Sequence, residues 1–149
     1  QAAFSFDPSI REEYMGRETT PSETEWLIME VIWDSDGDIT AAEIIRALQG
    51  KLDVSARTIR VLLNRLLAKG VIRHEVDRKD SRVYHYYVVK TKEECLAEKQ
   101  ARFVRNYFGG NSTLAVASFI EKSQMSDEQF RQLQQLVEKM KEDRKGQGG

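Results

Sequence analysis

Three capping boxes constrain this chain more than any other feature of its sequence. Ser22-Glu23-Thr24-Glu25, Thr40-Ala41-Ala42-Glu43 and Thr91-Lys92-Glu93-Glu94 each put a hydroxyl where it can accept from an open helix amide. Each also carries a glutamate three positions on that can reach back. After Ser22, the residues Trp26, Leu27, Ile28, Met29, Val31, Ile32 and Trp33 cover most of a helical circumference, which predicts a largely buried helix. Asp34-Ser35-Asp36-Gly37-Asp38 ends it. After Thr40, Ala41, Ile44, Ile45 and Leu48 fall at i, i+3, i+4 and i+7 and form one apolar stripe. A third helix is expected from near Ser55 to Gly70, a residue suited to the left-handed position past a helix end. It would bury Ile59, Leu62, Leu63 and Leu66 and turn Arg57, Val61, Asn64 and Ala68 outward, flanked by Thr58, Arg60 and Arg65.

The period then changes. Residues Val71–Val76 and Val83–Val89 have the β-branched and aromatic composition of strands, joined by the charged turn Asp77-Arg78-Lys79-Asp80-Ser81-Arg82. Beyond Thr91 the pattern is helical again, with Leu96, Phe103, Val104 and Tyr107 along one side until Gly109-Gly110. A short apolar helix of about Thr113–Glu121 follows. Ser126 then caps a last one, with Phe130, Leu133, Val137 and Met140 at spacings of 3, 4 and 3. The expected class is mainly α with a small β-hairpin wing (α+β). Residues 21–90 would form a winged helix-turn-helix and residues 91–143 a three-helix dimerisation region. Residues 1–20 show no clear period and start without methionine; Met15 is the candidate natural start, with what precedes it added for expression. That segment and the Gly-rich tail, 144–149, are expected to be flexible.

Totals exclude several classes. The 149 residues suffice for one ordinary domain or two small ones. One cysteine, Cys95, rules out a disulfide framework or a multi-cysteine metal cage. No run of about 18 apolar residues exists to span a membrane. No basic-then-apolar leader is visible either, so the expected setting is the cytoplasm. For an enzyme the chain is poorly equipped. Its two histidines, His74 and His85, lie on expected strands without a nucleophile or ligand set, and no Gly-rich phosphate loop follows a strand. No catalytic residue, cofactor or metal is therefore expected.

Net charge is −1, but it is strongly segregated. Residues 1–54 carry 4 basic and 12 acidic side chains, residues 55–90 carry 9 basic and 3 acidic, and residues 91–149 carry 10 and 9. The central excess of six positive charges coincides with the third helix and the hairpin, which is the electrostatic footprint that phosphate binding needs. A helix fits the major groove, and the side chains opposite its buried stripe face base edges. Arg57, Arg60 and Arg65 can donate to guanine or phosphate, Asn64 can pair with adenine, and Val61 can touch a thymine methyl. Ser55 and Thr58 suit a phosphate near the helix start. Arg78, Lys79 and Arg82 at the wing tip can lie along an adjacent groove or backbone. A winged helix that binds only proteins is the alternative.

Two stretches resemble the penicillinase-repressor family (BlaI/MecI type, with the copper-responsive CopY repressors as relatives). Glu25-Trp26-Leu27-Ile28-Met29-Glu30-Val31-Ile32-Trp33-Asp34 looks like its helix-one signature, and Val54–Leu66 like its recognition helix. The similarity continues through Tyr107-Phe108-Gly109-Gly110-Asn111 and covers about residues 22–142. The resemblance implies a homodimer that binds palindromic double-stranded operators and represses resistance or stress genes. It also implies relief of repression through a membrane sensor-protease, by cleavage within the stretch equivalent to 116–122. There the β-lactam repressors have Asn-Phe and this chain has Ser118-Phe119. The paired terminal cysteines of the copper-responsive relatives are absent.

A dimer also follows from burial. Three short helices in about 50 residues cannot hide their apolar stripes alone, so Leu96, Phe103, Val104, Tyr107, Phe119, Ile120, Phe130, Leu133 and Val137 need a partner surface. Folding back onto the winged domain is the alternative. A hairpin symmetric about Lys79-Asp80 would set His74 opposite His85, a pair able to hold a metal or sense pH, though more often a plain cross-strand pair. Cys95 beside Glu93 and Glu94 is expected to be a packed thiol, and Trp26, Met29 and Trp33 a core stripe.

Overall fold

The computed structural model describes residues 18–148. The expectations for residues 1–17, including a start at Met15, lie outside them. Helix α1 (Glu23–Asp34) begins at Ser22, whose Oγ accepts from the Glu25 amide at 3.2 Å. A two-residue strand β1 (Ile39–Thr40) leads directly into α2 (Ala41–Leu48), capped by Thr40. Helix α3 (Ala56–Ala68) is capped by Ser55 and followed by Gly70, whose φ of +73° lies where only glycine is unstrained. Strands β2 (Ile72–Val76) and β3 (Tyr84–Val88) form the wing ribbon. Helices α4 (Lys92–Phe108), α5 (Ser112–Lys122) and α6 (Asp127–Gln147) complete the chain. Gly109, at φ +55°, closes α4. A capping box does open α6, where Ser126 and Gln129 exchange both bonds. That helix continues through Gly146, past the expected start of the tail.

One core holds the winged part together. Ile28, Met29 and Ile32 of α1, Ile44 and Leu48 of α2, and Ile59, Leu62, Leu63 and Leu66 of α3 bury against Ile39, Val71, Ile72 and Tyr86 of the sheet region, with Cys95 of α4 at its edge. The helix-three stripe is buried as the spacing predicts. Helix α1 is less enclosed than expected: Leu27 is 44% exposed, and Trp26, Val31 and Trp33 are half-buried. The two indoles meet edge to face at 5.0 Å, and each N–H finds an acceptor, Glu30 Oε1 for Trp26 and the Lys90 carbonyl for Trp33. The Trp33 bond ties α1 to the entry of α4.

The sheet has three strands, in the order β1-β3-β2, all antiparallel. The third strand was not expected, because two residues leave no periodic signal. The register is also one residue away from the symmetric hairpin: His74 pairs with Tyr86, and Glu75 with His85. The turn explains this. The Asp77 amide donates to the Val83 carbonyl at 2.8 Å, enclosing five residues rather than four. Asp77 Oδ2 accepts from the amides of Lys79 and Asp80 at 2.9 and 3.0 Å, an Asx turn that fixes the loop length. A one-residue slip reverses every side chain. The two histidines therefore point to opposite faces, and the expected pair does not form.

Candidate DNA-binding surface

The outward face of α3 follows from its inward one. With Ile59, Leu62, Leu63 and Leu66 at 6% exposure or less, the 3.6-residue period forces Arg57, Arg60, Val61, Asn64, Arg65 and Ala68 toward solvent, and all are exposed. Val61 is 43% exposed, unusual placement for a β-branched apolar side chain on a helix. At the helix start, Ser55 Oγ accepts from the Thr58 amide at 3.1 Å and shares a hydrogen bond with the Thr58 hydroxyl at 3.0 Å. Both oxygens are thus oriented by the cap while remaining at the surface.

Charge pairing is uneven across the molecule. Lys69, Lys90, Lys92, Lys99, Arg73, Arg82, Arg131 and Lys141 all sit within 4 Å of a carboxylate. Among the described residues Arg57, Arg60 and Arg65 form no such pair, nor do Arg78 and Lys79 of the wing turn. Among the described residues, no acid of the amino-terminal third pairs with them. Glu18 binds Lys99, Glu25 binds Lys69, Glu30 binds Lys92 and Asp38 binds His85, at 2.6–2.8 Å. Arg82 is held by Asp80 at 3.0 and 3.2 Å, but its side chain is 88% exposed. Such a surface pair contributes little and can exchange for a phosphate.

Two arrangements behind the surface were not legible in the sequence. Lys69, one turn past the α3 stripe, reaches the buried Glu25 at 2.7 and 3.0 Å and the Thr20 carbonyl at 3.1 Å. Glu25 was expected to close a capping box with Ser22; instead its carboxylate locks the end of α3 onto α1. At the wing, His85 Nδ1 lies 2.6 Å from Asp38 and Nε2 lies 2.7 Å from Asp77. Hydrogen bonds donated to the Asp77 and Asp38 carboxylates hold the imidazole pKa above its usual value, and the His85 bond holds that of Asp77 below the ordinary carboxylate range. With a carboxylate at each nitrogen, the geometry favours the doubly protonated ring, in which both nitrogens donate. It ties the wing turn to the loop before β1. The nearest signal in the sequence was the acidic run 34–38, whose partner only the observed register could reveal. Among the described residues no group of three or more His, Cys, Asp or Glu is arranged to hold a metal.

The residues expected at a dimer interface lie on α4–α6 and are largely uncovered. Leu96, Phe103, Tyr107, Phe119, Phe130 and Val137 are 39–60% exposed, Val104, Ile120 and Leu133 are half-buried, and α6 has no buried residue. Phe103, Phe108 and Phe119 cluster with centroids 5.8–6.1 Å apart, joining α4 to α5. Ser118-Phe119 lies inside α5, with Ser118 half-buried. Cys95 is fully buried, and burial pushes its thiol pKa up, the reverse of a reactive cysteine. Among the described residues no helix is long and apolar enough to cross a membrane.

Comparison with known proteins places this geometry. The sequence profile of the penicillinase repressor family matches residues 21–139. The penicillinase repressor of Bacillus licheniformis is 30% identical over 124 residues, covering 83% of this chain and 94% of that protein. The methicillin resistance regulatory protein MecI of Staphylococcus aureus (strain N315) is 29% identical over 118 residues, covering 79% and 93%. Among solved structures, the S. aureus MepR–DNA complex aligns with a TM-score of 0.43 at 16% identity, over 76% of this chain and 86% of that one. The family match runs from the cap of α1 through most of α6, so the winged part and the three following helices fall within it together: this chain belongs to the penicillinase repressor family.

Proposed function

We propose that the protein is a transcriptional repressor that binds a palindromic operator as a homodimer and acts by occupying promoter DNA, without catalysis. The observation that carries this reading is the run of exposed, unpaired cations on the outer face of α3 and on the wing turn, set opposite the stripe that α3 buries in the core. Arg57, Arg60, Val61, Asn64 and Arg65 read base edges or adjacent phosphates from the major groove. Ser55 and Thr58 meet a phosphate at the helix start, and Arg78, Lys79 and Arg82 meet the neighbouring backbone. Helices α4–α6 pair with a second copy, which sets two recognition helices one DNA turn or a multiple apart. On the same reading, relief of repression by a regulatory protease acts at Ser118-Phe119. Because that bond lies within α5, the helix must open locally before it can be cut.

Salt titration of duplex binding tests the proposal. A protein neutralising several phosphates loses affinity steeply as salt rises, with a log–log slope of about −0.9 per phosphate. Absence of duplex binding at low salt rejects it and leaves a winged helix that binds proteins.

A further inference from the structure

The two faces of the β2–β3 ribbon meet different fates. One face satisfies itself: Arg73 pairs with Glu75 at 2.7 Å and lies 4.3 Å over the Tyr87 ring, while His85 is held by two carboxylates. The other face begins in the core with Ile72 and Tyr86, 2% and 7% exposed, and runs outward as His74, Val76 and Tyr84. Val76 is 49% and Tyr84 40% exposed, and His74 is exposed as well. The His74 ring stands edge-on to Tyr84 at 5.0 Å and to Tyr86 at 6.1 Å. Among the described residues neither its nitrogens nor the Tyr84 hydroxyl has a hydrogen-bond partner. Two oriented polar groups therefore stand unused on an apolar bed.

Their position says what can use them. Strand β2 packs directly against α3, and Ile72 and Tyr86 share the buried core with Ile59 and Leu63. The patch thus occupies the ground between the unpaired cations of α3 and those of the wing turn. A duplex with α3 in its major groove and the wing turn on the neighbouring groove must carry one sugar–phosphate strand across it. We propose that His74 and Tyr84 hold one phosphate of that strand by donating from imidazole N–H and phenol O–H, with Val76 against the deoxyribose. The flanking positive charge selects an anion, and the apolar bed suits a sugar rather than a free ion. These are positioning contacts that fix the wing relative to α3 and read no base. The assignment rests on the DNA-binding reading above.

The test uses the full chain, a duplex selected for binding, and a series of duplexes with one neutral methylphosphonate at each position in turn. His74→Leu and Tyr84→Phe should each weaken binding about tenfold, the scale of one hydrogen bond to a charged group, and equally on every sequence. At one phosphate between the two grooves, the neutral linkage should cost the wild type about tenfold and cost the variants nothing more. Variants that bind like the wild type, or losses that multiply at every phosphate, overturn this assignment while the DNA reading stands. A wild-type protein that binds no duplex overturns both. Both side chains are exposed, so unchanged melting temperatures will confirm that folding is not what the variants report.

Discussion

At the scale of single residues, base reading and backbone holding separate cleanly on this surface. Asn64 is exposed at the centre of the α3 outer face, between Arg60 and Arg65, where a carboxamide can bond an adenine edge twice. Asn64→Ala should lose discrimination at one base-pair position by about 1–3 kcal/mol, read by competition between single-base variants of the operator. Lys79→Ala at the wing turn should weaken all sequences alike; a sequence-selective loss there contradicts its role. His85 supports that turn from beneath. Its folded pKa is raised above the unfolded value of about 6.5, so the folded state holds the proton more tightly. The stabilisation is complete below that unfolded value and is lost as pH rises through the raised folded one. Asp77, with a lowered pKa, contributes in the opposite sense: its share is present above the ordinary carboxylate range and lost as pH falls through the lowered value. The clamp is therefore strongest above the ordinary carboxylate range and below about pH 6.5. The melting-temperature gap between wild type and His85→Gln should be widest there and close at alkaline pH. A gap that persists unchanged at high pH would mean that packing, not charge, is what His85 supplies.

At the scale of elements, what could be read in the sequence depended on how local its cause is. The helices were legible because each cap and its stripe are contained within one element: Ser22, Thr40, Ser55, Thr91 and Ser126 all cap where expected. The outer face of α3 was legible for the same reason, since four buried residues determine which side chains point out. The register of the wing was not. It depends on Asp77 folding its carboxylate onto two amides, which adds one residue to the turn and moves His74 and His85 to opposite faces. Strand β1 and the Glu25–Lys69 bond were hidden because their partners lie 45–47 and 44 residues away in the chain. That bond supplies a test of how α3 is anchored. Glu25 is 2% exposed and Lys69 22%, so the two ends are not equivalent. Lys69→Met leaves a carboxylate buried without its cation and should cost about 3–5 kcal/mol in urea unfolding. Glu25→Gln leaves an ammonium that still has the Thr20 carbonyl and a route to water, and should cost clearly less. Equal costs would show that the two ends of the bond are equivalent and that burial of Glu25 does not make it depend on Lys69.

At the scale of the whole molecule, the chain is asymmetric in how it hides apolar surface. The winged part encloses its core almost completely, whereas among the described residues beyond Lys90 only Cys95 and Ala115 are buried hydrophobic residues. Leu114, Val116, Phe119, Phe130, Leu136, Val137 and Met140, each 39–56% exposed, leave a contiguous stretch of α5 and α6 in water, which is costly at about 25 cal/mol per Å². In the single chain these helices pack little against the winged core, and a second copy is the cover that the proposed homodimer supplies. Because α6 has no buried residue in the single chain, a charge placed on it tests association without first damaging the fold. Val137→Lys should leave helical content unchanged by circular dichroism while shifting the protein to monomers in sedimentation equilibrium. On DNA the variant should still bind a single half-site but lose the gain that the palindrome gives when two linked recognition helices dock together. If Val137→Lys remains dimeric and keeps that gain, α6 is not the seam, and the exposed stripe of Leu96, Phe103 and Tyr107 on α4 must carry the two-fold contact by itself.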